Sequence, residues 1–282
     1  MIKWRVIKDT KYNGAMNMAI DEAIMVAHEK EKIPPTIRFY QWSPPAVSLG
    51  YFQDLQKEIN IDACRNSGID IVRRPTGGKA VLHDRELTYS FVIGEGHALI
   101  NSSILKTYKK ISRALILALE PLEIHADLVP LREKSDKDYV KNIARDSFSF
   151  KSNCFSAPSQ YEVQVDGKKI IGSAQVRKRG VVLQHGSLLM EIDREKWFSV
   201  FNYPSEKILN KVKTRFKATS IEEIIKEKIS FSKLSNLLPK GFEKEFHVQL
   251  IDGKLTEFEE NLSRQLFETK YSSTEWNFKK AV

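Results

Sequence analysis

The chain has 282 residues, 41% of them hydrophobic, two cysteines and a formal net charge of +9. That is apolar material for one large domain, or a domain with an appendage, and it excludes a disordered chain. No apolar run approaches the roughly 18 residues needed to span a bilayer, two thiols cannot form a disulfide framework, and Met1 to Val6 has no apolar signal core, so a cytoplasmic protein with free thiols is expected.

In chain order, Trp4 to Ile7 is predicted as a strand. Gly14 to Lys30 is predicted as a helix, because Met16, Ala19, Ile20, Ala23, Ile24 and Ala27 recur at helical spacing. Asp9, Thr10 and Asn13 offer capping oxygens before it. Thr36 to Trp42 alternates as a strand, and Ala46 to Tyr51 follows Pro44-Pro45 as another. Ile59 to Ser67 reads as a helix bearing Cys64 and stopped by Gly68. Ile69 to Arg73 is a strand leading into Pro75-Thr76-Gly77-Gly78. Ala80 to His83 and Leu87 to Val92 read as antiparallel strands around Asp84-Arg85. Ser102 to Leu119 is a second amphipathic helix. Arg132 to Ser152 is polar and aperiodic, and is expected as a long mobile loop.

Residues 153–187 are the stretch on which the rest is organised. Tyr161 to Val165 alternates. Asp166-Gly167 is a hairpin signal, because a primed turn needs positive φ. Lys168 to Gln175 leads out, Arg179-Gly180 turns again, and Val181 to Ile192 completes a β-meander. Helices are expected at Lys196 to Phe201, Pro204 to Val212, Ser220 to Lys228, Ser232 to Leu238 and Lys254 to Thr269, with a capping box at Ser220 and Glu223. The predicted fold is α+β: a mixed, mostly antiparallel sheet flanked by helices, with a helical C-terminal segment. The division expected is a catalytic domain over 1–212 and a helical extension over 213–282.

Cys154 follows a polar stretch and precedes a Pro-Ser turn, so an exposed, ionisable thiol is expected there. Cys64, on a packed helix, fits a small buried hydrophobe. Alternation along a strand sends Lys168 and Lys169 to opposite faces, so one can enter a pocket while the other is solvated. Two solvated hairpin lysines remain the plainer reading of that pair. Gly77 and Gly78 let backbone approach a ligand, and Arg73-Arg74 offer forked donors to an anion or carbonyl. Gly-Gly is also a common hairpin turn, and the stretch is not a P-loop. His83 and His185 could each be a base, though structural roles fit their spacing better. No zinc-ligand spacing occurs. The net charge admits nucleic acid, anionic membrane or an acidic protein as partner. The cations are dispersed, with short clusters at Arg73-Arg74, Lys109-Lys110 and Arg177-Lys178-Arg179.

Four motifs occur in order: R-R-P-T-G-G-K-A-V-L-H-D from Arg73, C-F-x-x-P-S-x-Y-E from Cys154, G-K-K-I-x-G-S-A-Q from Gly167 and L-Q-H-G-S from Leu183. With N-M-A-I-D-E from Asn17 and Glu275-Trp276-Asn277, they cover almost the whole chain. Together they resemble the lipoate/biotin protein ligase and octanoyltransferase superfamily, and within it the octanoyltransferases of the LipM type. The resemblance implies a ligase-like catalytic fold and octanoyl transfer from acyl carrier protein to a lysine of a lipoyl domain, such as the glycine-cleavage H protein. It implies Cys154 as the nucleophile of an acyl-enzyme and Lys169 against the acyl carbonyl. Arg73, Gly77, Gly78 and His83 would line the acyl tunnel, with the Gly172-Ser173 backbone as an oxyanion site. A thioester donor needs no ATP, so no cofactor, nucleic acid or membrane is implied. Acidic carriers would be steered by a positive rim near Arg177-Lys178-Arg179. The alternatives are an ATP-dependent lipoate protein ligase, an amidotransferase taking octanoate from the H protein, and a non-catalytic binding module.

Overall fold

A computed structural model of the chain describes residues 1–100, 103–129 and 162–278. Its frame is an eight-stranded sheet of β1 (Ile2–Tyr12), β2 (Thr36–Trp42), β6 (Glu86–Gly94), β7 (Asp127–Leu128), β8 (Val163–Val165), β9 (Lys168–Lys178), β10 (Val181–Leu189) and β11 (Val248–Asp252), in the order β11-β1-β2-β6-β10-β9-β8-β7. β1 runs parallel to both of its neighbours and every other pairing is antiparallel. A small sheet of β3 (Ala46–Leu49), β4 (Asp70–Arg73) and β5 (Val81–His83) has the order β4-β3-β5. This is the mixed, mostly antiparallel α+β architecture expected.

Strand alternation divides the large sheet into two faces. Tyr89, Phe91, Gln184 and Leu188 share one face. Over it lie α4 (Ile104–Leu119) and a long helix at Phe231–Phe246, with Leu115, Leu238, Phe242 and Phe246 in one core with Trp4 and Phe39. The opposite residues, Val92, Leu183 and Val181, pack on α1 (Gly14–Glu29) through Ile20 and Ile24. Asn13 caps α1, its side chain accepting from the Met16 N–H at 2.8 Å. A further core joins the small sheet, the short α2 (Leu55–Glu58) and α3 (Ile61–Asn66) to α5 (Arg194–Ser199), through Val47, Cys64, Leu82 and Trp197.

Both turns of the meander form where the sequence places them. Asp166 and Gly167 have φ of 49° and 71°, and Arg179 and Gly180 have 53° and 73°. β5 and β6, by contrast, do not pair with each other. β5 pairs with β3 in the small sheet, while β6 lies between β2 and β10. Asp84-Arg85 is therefore a crossing between sheets and not a hairpin. The expected loop over 132–152, Tyr161 and Cys154 lie outside the described residues.

The C-terminal part is mostly helical, with α6 (Glu206–Arg215), α7 (Ile221–Ile225), α8 (Phe231–Phe246), α9 (Glu257–Leu266) and α10 (Thr274–Asn277). It also supplies β11, hydrogen-bonded along β1. Ser220 caps α7 by accepting from the Glu223 N–H, but the Glu223 carboxylate pairs with Arg194 and accepts from Thr219. The reciprocal capping box forms instead between Thr256 and Glu259 at the start of α9. Glu259 also pairs with Arg5 of β1, at 2.5 and 2.8 Å. No described helix is long and apolar enough to cross a membrane.

Candidate active site

Lys169 is the second residue of β9, and strand alternation separates it from Lys168. Lys168 is exposed, whereas the Lys169 side chain is 5% accessible. Its ammonium donates to Glu162 Oε1 at 2.5 Å. A buried ammonium is costly unless a counter-charge compensates it, and Glu162, itself 3% accessible, supplies one. The backbone of Lys169 is fixed as well. Its N–H donates to Lys217 O, and its carbonyl accepts from the Thr219 N–H, both at 2.9 Å.

Further along β9, Gly172 lies opposite Ser187 and Ser173 opposite Gly186 of β10. The Ser173 carbonyl accepts from Tyr108 of α4 at 2.9 Å, and its hydroxyl is 2.7 Å from the Tyr89 hydroxyl. Burial pushes the Tyr89 phenol up to about 12, so it stays a neutral hydrogen-bonding group at physiological pH. Gly186 is required at this crossing. A Cβ there would lie 2.6 Å from Gly172 O and from Ser173 Oγ.

Two buried carboxylate–imidazole–hydroxyl chains on the other face join the meander to the Gly77-Gly78 loop. In one, Asp21 Oδ2 is 3.3 Å from His185 Nδ1, and His185 Nε2 is 2.7 Å from Thr76 Oγ1. In the other, Glu86 Oε1 is 2.7 Å from His83 Nδ1, and His83 Nε2 is 2.7 Å from Ser48 Oγ. Both end on Arg74, which donates to Thr76 Oγ1 at 3.1 Å and to Ser48 Oγ at 3.1 Å. Arg74 also donates to the carbonyls of Gly77 and Lys79, at 2.7 and 2.8 Å, and so sets the loop. Gly78 has φ of +92°, and a Cβ on Gly50 would fall 1.9 Å from the Gly78 carbonyl, so the loop packs directly on backbone.

Electrostatics fix the direction of the first chain. Burial lowers the His185 pKa despite Asp21, so the ring is neutral. Burial opposes ionisation of Asp21, but the His185 hydrogen bond and the Arg38 charge prevail and hold its pKa below the usual value. The carboxylate can only accept, so His185 Nδ1–H donates to it and Nε2 accepts from Thr76. Arg38 at 2.9 Å, the Tyr40 hydroxyl at 2.9 Å and the Ser90 hydroxyl at 2.9 Å complete the Asp21 shell. Glu86 additionally accepts from Thr88 at 2.5 Å and from Ser187.

Comparison with known proteins gives the family and the fold relatives. The sequence profile of the lipoyl protein ligase A/B catalytic domain matches residues 13–243. The Clostridioides difficile octanoyltransferase LipM is 44% identical over 282 residues, covering 99% of this chain and 100% of that protein. The Bacillus subtilis octanoyltransferase LipM is 40% identical over 279 residues, covering 98% of each. The chain belongs to the octanoyltransferases of the lipoyl protein ligase A/B family. The octanoyltransferase has the fold of a bipartite lipoate protein ligase from Thermoplasma acidophilum, at a TM-score of 0.78 and 26% identity over 99% of this chain and 97% of that one. It transfers octanoyl groups in lipoate biosynthesis.

The residues named from the octanoyltransferase sequence are brought together to different degrees. Gly172, Ser173 and Lys169 share β9. Gly77 and Gly78 reach β10 through Thr76 and His185, and His83 reaches it through Glu86 and Ser187. Arg73 is wholly buried. Its guanidinium donates to the carbonyls of Gly50, Tyr51 and Gln53 and to those of Trp276 and Asn277, at 2.7–3.1 Å, which anchors the C-terminal α10 against the loop. Cys64 is buried, and burial pushes its thiol up to about 11, away from nucleophilic use. Sequence reasoning passed over Glu162, Ser48, Glu86 and Asp21, and it offered Arg74 to a ligand, whereas Arg74 donates to Ser48, Thr76 and the loop carbonyls. Glu162 ends the Cys154 motif and Asp21 lies in N-M-A-I-D-E, but nothing local shows that their partners are Lys169 and His185. Among the described residues, no cluster of three or more His, Cys, Asp or Glu could hold a metal.

Proposed function

We propose that the enzyme takes octanoate from octanoyl-acyl carrier protein and passes it, through a thioester on Cys154, to a lysine amine on a lipoyl domain such as the glycine-cleavage H protein. The observation that carries this reading is the buried Lys169–Glu162 pair. It places a fixed cation at the head of β9, and Glu162 closes the same motif that contains Cys154, eight residues earlier in the chain.

In the first step the Cys154 thiolate attacks the donor carbonyl. A carbon–sulfur bond to Cys154 forms, the bond to the carrier breaks, and the carrier leaves as a thiol after taking a proton. In the second step the lipoyl-domain amine attacks the Cys154 thioester. The amide carbon–nitrogen bond forms, Cys154 leaves as thiolate, and the amine gives up its proton. Lys169 stabilises the oxygen charge that develops in each tetrahedral intermediate and favours the thiolate before and after. Gly172 and Ser173 contribute the backbone side of the same site, with Gly77, Gly78, Arg73 and His83 around the acyl chain.

Single-turnover transfer from octanoyl-acyl carrier protein tests the assignment. Cys154→Ala is expected to lose at least about 10³-fold in rate. Lys169→Met is expected to lose about 10²-fold, mostly in kcat. Wild-type rates in Cys154→Ala would refute the covalent route. Labelling that requires ATP and free octanoate would assign the chemistry of the ligases instead.

A further inference from the structure

The corner of the molecule that holds Lys169 carries a cationic helix that the catalytic reading does not use. Residues 206–217 contain five cations against a single carboxylate, Glu206, a net +4 out of the whole chain's +9. α6 has no buried residue and rests on the core near Phe198 through the half-buried Leu209 and Val212. Lys207, Lys211 and Arg215 follow one another at four-residue spacing and so share one face. These three, with Lys213 and Lys217, are exposed. Among the described residues the ion pair made by this set is Lys213–Glu195, at 3.7 Å.

The position of this helix is set by β9. The chain leaves α6 and immediately pairs with Lys169, through the hydrogen bonds to Lys217 O and from the Thr219 N–H. A ten-residue helix is about 15 Å long, so the cationic face runs outward from the Lys169 corner over that distance. The Arg177-Lys178-Arg179 rim expected from the sequence lies at the other end of β9, on the order of 30 Å away along the strand. There Arg179 pairs with Glu29 at 3.6 Å, and Arg177 donates to Ser103 O and Thr107. That end is remote from the site and its charges are partly engaged.

We propose that the α6 face is the docking surface for the acidic protein that delivers the octanoyl thioester. The proposal rests on the thioester-donor reading above. Reach favours the donor over the acceptor: an acyl group on a long flexible arm can enter the site while its carrier stays on α6, whereas a lysine side chain has four methylenes and needs its domain at the mouth. Charge on a surface helix acts chiefly on the encounter rate, by tenfold or more at low salt.

The triple variant K207E/K211E/R215E tests this, with K178E as the control at the far end of β9. Acylation of the full-length enzyme is followed by mass, with octanoyl-acyl carrier protein or the small thioester octanoyl-N-acetylcysteamine as donor. The triple variant is expected to lose about tenfold or more in kcat/KM with the carrier and to flatten its salt dependence. Its rate with the small thioester and its melting temperature should match wild type, and K178E should behave as wild type with both donors. An unchanged carrier rate, or a loss confined to transfer onto the lipoyl domain, overturns the proposal. Failure of the wild-type enzyme to take octanoate from either thioester overturns instead the donor reading beneath it.

Discussion

Gly186 shows how closely single residues are specified at the β9–β10 crossing. Its missing side chain leaves room for Gly172 O, Ser173 Oγ and Tyr89 at once. Gly186→Ala is expected to cost more than about 2 kcal/mol in urea unfolding, because backbone and a packed ring must both move; a cost under half that would mean the strands can part freely. His185 makes the pH prediction. Its folded-state pKa lies below the ordinary 6.5, so its contribution to stability is complete above that value and is lost as pH falls below it. His28 and His97, also lowered by burial, act with the same sign. Asp21 is lowered from 3.8 and acts only in stronger acid, where its contribution is lost as pH falls through its folded pKa. Unfolding free energy should therefore drop between pH 7 and pH 5.5, and drop less in His185→Gln; equal pH slopes for the two proteins would count against a buried neutral imidazole. Of this network the sequence shows only the ingredients. His83 and His185 stand out as titratable, but Glu86, Ser48 and Asp21 become their partners only when separate strands and α1 are brought together.

At the scale of elements, α4 and α8 show why Pro239 misleads. The sequence suggests that the helix begun near Ser232 ends at Leu238, before a proline that cannot donate to the preceding turn. α8 instead continues to Phe246, because Leu234, Leu238, Phe242 and Phe246 bury a continuous stripe that outweighs one missing bond. Gly241 permits the close approach. A Cβ there would lie 2.1 Å from Ala114 O and 2.7 Å from Ala118 Cβ. Gly241→Ala should separate the helices and cost roughly 2–3 kcal/mol, measured by thermal or urea unfolding. The meander was legible because Asp166-Gly167 and Arg179-Gly180 encode their turns locally. β11 was not, since four of its five residues are only partly buried or exposed and carry no clear alternation. The β5–β6 error has the same origin: both runs are strand-like, and which sheet each joins is decided by partners far away in sequence.

Across the whole molecule, the two ends of the chain brace the centre. Arg5 and Glu259 tie β1 to α9, and Lys270 and Tyr271 both donate to Glu22 of α1, each at 2.5 Å. Asn277 accepts from the Arg73 N–H at 2.8 Å, and the Trp276 indole donates to Arg73 O at 2.9 Å. The Glu275-Trp276-Asn277 motif, visible in the sequence without a role, is thus a latch on the strand that leads into the Gly77-Gly78 loop. Asn277→Ala strands a buried N–H and should cost about 2 kcal/mol of stability while raising KM for the octanoyl donor; a stability loss with kinetics untouched would separate the latch from the site. The family and general architecture could be read from motif order, but the division at residue 212 follows only the expected run of C-terminal helices, and residues beyond it supply β11 and the latch. The most direct test of the account is the intact mass of the enzyme after brief exposure to octanoyl-acyl carrier protein without ATP, followed by peptide mapping. One octanoyl group is expected, labile to hydroxylamine and located on Cys154, and it should disappear when a lipoyl domain is added. An unmodified enzyme that still octanoylates the lipoyl domain, or a stable label on another residue, would contradict it.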